Sequence, residues 1–110
     1  MIPKKQRITK RLFSESFSYS KTVSNEYLTL KYKGILEFPV KIAVVVSKKV
    51  EKSAVGRNRI KRKVYLCAQN VSKNLKKPYI LMIFPKKECI KMTTSQIEHS
   101  LTELLKKTIL

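Results

Sequence analysis

The sequence predicts a single α+β domain in which helices cover a small sheet, and three observations predict it. Two segments carry apolar residues at helical spacing: Ile60, Val64, Cys67 and Val71, then Ile97, Leu101, Leu104 and Leu105. Three others read as strands, by alternation at residues 27–33 and by continuous apolar runs at 40–47 and 79–84. There are only two glycines and no repeat or linker-like stretch, so residues 1–110 form one domain.

Taken in order, Thr9 caps a first helix over 10–20 and places Phe13 and Phe17 four residues apart on one side. Residues 22–24 are extended. In 27–33, Leu28, Leu30 and Tyr32 share one face while Thr29, Lys31 and Lys33 share the other, the pattern of a half-buried strand. Gly34 marks a turn. Residues 40–47 are β-branched on both faces, which predicts a strand in the middle of the sheet. A long helix over 54–75 follows and Pro78 stops it. The run 79–84 is a buried strand ended by Pro85, and a last helix starts near Ser95, whose spacing to Glu98 matches a capping box. His99 projects away from that helix's apolar face, toward solvent.

Charge narrows the function. Twenty-five Lys and Arg stand against 7 acids, a net charge of +18, and every acid is Glu. With one histidine and no Asp, carboxylate dyads and His-based acid–base sites are hard to assemble, so no catalytic residue is assigned. A zinc site needs about four ligands, and Cys67, Cys89 and His99 supply three at most, so no metal site is assigned either. Two cysteines far apart in sequence suit free thiols in a reducing compartment. The first residues are basic with no apolar segment behind them, and no apolar run is long enough to span a bilayer. These features predict a cytoplasmic protein that binds a polyanion and no membrane.

Lysine outnumbers arginine 20 to 5, so a single Lys says little. Three of the five arginines, however, fall in residues 57–62, Arg-Asn-Arg-Ile-Lys-Arg. Projected on a helix, Asn58, Lys61, Arg62, Tyr65 and Gln69 lie opposite the apolar stripe, with Arg57 on one shoulder and Arg59 and Lys63 on the other. Leu66 also falls on the polar side, without a reason in the pattern. Like charges at this spacing cost an isolated helix about 0.2–0.5 kcal/mol per pair. An ordinary solvated face has no cause to bear that cost, whereas planar guanidinium forks grip phosphate oxygens. A helix start adds partial positive charge, and Lys48, Lys49 and Lys52 just upstream enlarge the patch. The pattern points to nucleic acid.

Ser-Lys-Lys-Val at 47–50, followed by Lys-Ser-Ala-Val-Gly-Arg-Asn-Arg-Ile-Lys-Arg at 52–62, resembles the signature of the bacterial ribonuclease P protein component. The resemblance extends over nearly the whole chain. It implies an α-β-β-β-α-β-α two-layer sandwich with a left-handed β-α-β crossover, an exception to the usual hand. It implies a protein subunit that binds the catalytic RNA and the 5′ leader of precursor tRNA, while the RNA performs Mg²⁺-dependent hydrolysis. Carried onto this chain, the RNA-binding residues are Lys48, Lys49, Lys52, Arg57, Asn58, Arg59, Lys61 and Arg62, and the leader cleft is lined by Phe13, Phe17 and Tyr32. For the strand position in that cleft, ungapped alignment gives Lys31, with Tyr32 adjacent and Tyr27 a further alternative. The chain departs from the family pattern at Glu51 and Ser20, where glycine is usual, and at Tyr65, where arginine is. Three rivals carry similar composition: a ribosomal protein, an architectural DNA binder and a stand-alone nuclease. Only the 57–62 block with its upstream lysines speaks against the first. The second lacks a wedge or heptads, and the third lacks acid–base residues.

Overall fold

The computed structural model describes residues 8 and 10–109. The elements are α1 (Lys10–Ser18), β1 (Lys21–Ser24), β2 (Leu28–Gly34), β3 (Lys41–Val44), α2 (Ala54–Ser72), β4 (Tyr79–Pro85) and α3 (Thr94–Lys106). This is the predicted α-β-β-β-α-β-α order. Thr9, the expected cap of the first helix, lies outside the described residues.

The sheet runs β1-β2-β4-β3, antiparallel except for the β3–β4 pair, which is parallel and joined through α2. Alternation decides which side chains meet which helix. Leu28 and Leu30 of β2, Ile42 of β3, and Leu81 and Ile83 of β4 point to the face covered by α2 and α3, and there they meet Val64, Cys67, Ile97, Leu101 and Leu104 in one buried cluster. The intervening residues Lys31, Met82 and Phe84 point to the other face, which α1 crosses.

Four details differ from the sequence reading. β3 is an edge strand rather than a central one, and only residues 41–44 are strand; Val45 is 38% exposed, so its apolar outer face is not a sign of a second neighbour. α2 stops at Ser72, and a turn closed by the Leu75 N–H on Ser72 O then buries Leu75. Its buried arc is wider than the projected stripe and takes in Tyr65, because α2 packs against both the sheet and α3. The cap of α3 is Thr93, two residues before the expected Ser95. Thr93 accepts from the Gln96 N–H while Gln96 Oε1 accepts from the Thr93 N–H, so the same Thr/Ser-x-x-Gln/Glu pattern is satisfied in an earlier register.

Asn25 ties the β1–β2 turn to the helical layer. Its Oδ1 accepts the N–H groups of Tyr27 and Leu28, and its Nδ2 donates to Ser100 Oγ on α3 at 2.7 Å. Lys86 Nζ closes the corner by donating to the Asn25 carbonyl. The result holds the sheet in register against α3 at the end where α2 begins.

Candidate nucleic-acid interface

Two surfaces carry the residues singled out by sequence, and they lie on different faces of the sheet. The first is the start of α2 and the loop before it. Ser53 caps the helix, its Oγ accepting the Gly56 N–H, and Glu51 Oε1 accepts the Ser53 N–H. A Cβ at position 56 would lie 2.7 Å from Glu51 Cγ, so glycine makes room for this carboxylate to fold under the helix start. The Glu51 charge complements the helix N-terminus. Part of the positive helix end is thus already matched within the chain.

Arg57 is half-buried, and its Nη1 donates to the carbonyls of Glu51 and Lys52 at 3.0 and 2.7 Å. It braces the loop that presents Lys48, Lys49 and Lys52, all exposed. Asn58, Arg59, Lys61 and Arg62 are exposed too, and their side chains make no hydrogen bond or ion pair with any described residue. Among the described residues the one salt bridge is Arg11–Glu15, on α1. The α2 face is therefore an uncompensated array of cations, held rigid by the buried arc behind it.

The second surface is the α1 face of the sheet. Phe13 and Phe17 stack with ring centroids 5.9 Å apart, and Phe84 of β4 meets them at 6.4 and 6.1 Å. Lys31 Nζ stands 4.5 Å from the Phe17 centroid, a cation–π contact. Phe17 remains 43% exposed. Beneath the rings, Ser16 is buried and its hydroxyl has no partner among the described residues.

Tyr32 does not join this group. It alternates onto the opposite face with Leu28 and Leu30, and its ring meets Tyr79 edge-on at 6.4 Å. The strand residue beside the two phenylalanines is Lys31, and Tyr27 likewise packs on the helical-layer side. Of the alternatives the alignment left for this strand position, Lys31 is the one that stands here; Phe84 was passed over in the sequence. A period-two reading of Tyr79-Ile-Leu-Met-Ile-Phe would have set Phe84 apart from Ile83, but a run apolar at every position hides which residues share a face.

The remaining candidates are chemically quiet. Cys67 and Cys89 are free and buried; burial pushes both thiols up to about 11, with Lys63 nearby pulling them down only in part. His99 is exposed, as its projection implied. No helix among the described residues is long and apolar enough to cross a membrane.

Comparison with known proteins adds a direct line of evidence. A family model described as Ribonuclease P matches residues 2–109. The chain is 33% identical over 105 residues to the ribonuclease P protein component of Desulfosudis oleivorans, covering 94% of this chain and 86% of that one. With the protein of the same name from a Synechococcus species the identity is 28% over 112 residues, covering 97% and 84%. Among solved structures, the Staphylococcus aureus RNase P protein superposes with a TM-score of 0.76 at 27% identity, over 93% of this chain and 94% of that one. The Thermotoga maritima RNase P protein gives 0.79 at 23% identity, over 92% and 96%, a likeness of fold.

Proposed function

This chain belongs to the ribonuclease P protein family, and on that premise we propose that it is the RNA-binding subunit of a ribonucleoprotein that removes the 5′ leader of precursor tRNA. The observation that carries the reading is the face of α2, where Asn58, Arg59, Lys61 and Arg62 stand exposed with no acidic partner among the described residues, on a helix whose opposite arc is buried. Such a face suits the phosphates of a structured RNA, the catalytic subunit. Arg57 acts one step removed, by bracing the lysine loop. Phe13, Phe17 and Phe84 with Lys31 suit the unpaired leader, since rings stack on bases of any sequence and the ammonium meets a phosphate.

The chemistry of cleavage falls to the RNA and its Mg²⁺ in this reading. Among the described residues no three His, Cys, Asp or Glu come together. The protein's part is to hold substrate and catalytic RNA in register and to neutralise charge between two polyanions that otherwise repel. The family speaks against the ribosomal and DNA-architectural alternatives, and the dearth of acid–base residues favours a protein that assists cleavage over a self-sufficient nuclease.

Reconstitution tests the division of labour. Purified protein with Mg²⁺ leaves precursor tRNA intact, and addition of the cognate RNA produces the mature 5′ end. Affinity for that RNA falls with salt at a log–log slope of about −4 to −5, for about five neutralised phosphates. Cleavage at that site by RNA-free protein would sink the proposal.

A further inference from the structure

The aromatic surface does not end at Phe17. Lys31 and Lys33 lie two apart on β2 and share the α1 face, and each stands over a ring of the α1 region: Lys31 over Phe17, and Lys33 Nζ 5.7 Å from the centroid of Tyr19. Tyr19 is 78% exposed. Beyond it lies the end of the sheet where Gly34 of β2 faces Tyr79 of β4. There Tyr19 and Lys33 join the Tyr32–Tyr79 pair around a groove of about 300 Å³. A second groove of about 370 Å³ shares Tyr79 and continues to Lys76 and Lys77. Among the described residues no acidic side chain lines either one.

The composition of this surface selects its occupant. Tyrosine rings offer stacking faces to unpaired bases and lysines neutralise the connecting phosphates. An acidic peptide would use the lysines and leave the rings without bases. A duplex would keep its bases stacked on each other. The lining therefore suits a single-stranded nucleic acid.

The fold also gives a direction. The β2–β4 pairing runs from Leu28–Pro85 at one end to Gly34–Tyr79 at the other. β3 runs parallel to β4 and delivers the chain to α2 at the Pro85 end. Phe13 and Phe17 meet Phe84 near that end, and Tyr19 meets Lys33 near the far one. A strand entering from an RNA held on α2 reaches the phenylalanines first and the tyrosines afterwards. We infer that the Tyr19–Tyr79 groove extends the cleft and receives the leader nucleotides farthest from the tRNA body. This rests on the leader-cleft reading above and adds to it a second, length-dependent segment.

The test uses the reconstituted ribonucleoprotein and precursor tRNAs with leaders of about four and about twelve nucleotides, within the span of known single-strand sites. The wild type binds the longer leader more tightly. Tyr19→Ala, and separately Lys76→Gln with Lys77→Gln, removes about five- to ten-fold of that gain and leaves the short leader unchanged. The double lysine variant also lowers the salt dependence for the long leader alone. Tyr19→Phe, which keeps the ring, behaves as wild type. Phe17→Ala weakens both leaders and so reports on the cleft itself. If Phe17→Ala has that effect while length brings no gain, or the gain survives both groove variants, the extension is wrong and the cleft stands. If Tyr19→Ala weakens short and long leaders alike, Tyr19 belongs to the cleft and the extension falls. If Phe17→Ala changes neither leader, the cleft reading fails, and the extension with it.

Discussion

The two helices that carry the proposed RNA contacts are built in opposite ways. α2 is 19 residues long and buries seven of them, and what it shows to solvent is mostly charge, with Val55 and Leu66 exposed beside it. α1 is nine residues long, and among its described side chains only Ser16 is fully buried; what it shows is a pair of rings leaning on Phe84. A cation needs no neighbour to be attractive to phosphate, so the α2 surface follows once that stretch is a helix with a buried back. A stacking cleft needs a second wall, and that wall comes from residues far away in sequence. The first surface is therefore robust to small errors of register, while the second depends on which side of β2 and β4 each residue takes.

The sharpest break in the comparison comes from removing the charge of α2 without touching its packing. Arg59→Ala combined with Arg62→Ala should weaken binding to the catalytic RNA by about 3–6 kcal/mol, summing two charged hydrogen bonds, and should make the salt slope about 2 less steep. The melting temperature should not move. Lys106→Ala on α3 serves as the control, and equal losses in the two would mean that bulk charge alone binds the RNA.

Phe17→Ala addresses the other helix. Loss of one stacked base costs about 1–3 kcal/mol, so precursor tRNA should bind the ribonucleoprotein about ten-fold more weakly, while mature tRNA and assembly with the catalytic RNA stay unchanged. A drop in melting temperature with equal losses for both tRNAs would instead make α1's rings part of the core.

Arg57 then separates brace from contact within a single motif. Its two bonds to loop carbonyls predict that Arg57→Ala lowers stability by about 1–2 kcal/mol, read by denaturant unfolding. Its effect on RNA affinity should be smaller than that of Arg62→Ala, and Arg57→Lys should recover little because lysine lacks the planar fork.

The smallest effect concerns the buried side of α2. Cys67 and Cys89 keep their protons in the folded chain, with burial raising both to about 11 from 9.0. A raised thiol stabilises the fold below its unfolded value, and that contribution is lost as pH rises through the folded one. Melting temperature should therefore fall between about pH 9 and 11, and replacing both cysteines by alanine should flatten that part of the decline. At neutral pH neither thiol should react with iodoacetamide until the chain unfolds.

Much of this was legible from the chain. Helical spacing at Ile60, Val64, Cys67 and Val71 marks α2, and alternation at Leu28, Leu30 and Tyr32 marks β2, because those periods are properties of the local backbone. The density of arginine at 57–62 marks the charged face for the same reason. Where several residues satisfy one local rule equally, the reading slipped: Thr93, Thr94 and Ser95 can all begin a helix, and the choice of Thr93 rests on where α3 meets the sheet.

By itself, then, the sequence determined the order of elements, the charged face of α2 and the pair of rings on α1, all set by residues within a few positions of one another. Tertiary structure alone decided that β3 sits at the edge, that Tyr65 is buried and Leu66 left outside, and that Arg57 braces a loop. It also decided that Lys31 and Phe84, not Tyr32, stand beside Phe13 and Phe17. These are questions of which distant segments pair and in what register. A shift of one residue in a strand moves every side chain to the other face, and no short-range pattern in a run such as Tyr79-Ile-Leu-Met-Ile-Phe carries that information.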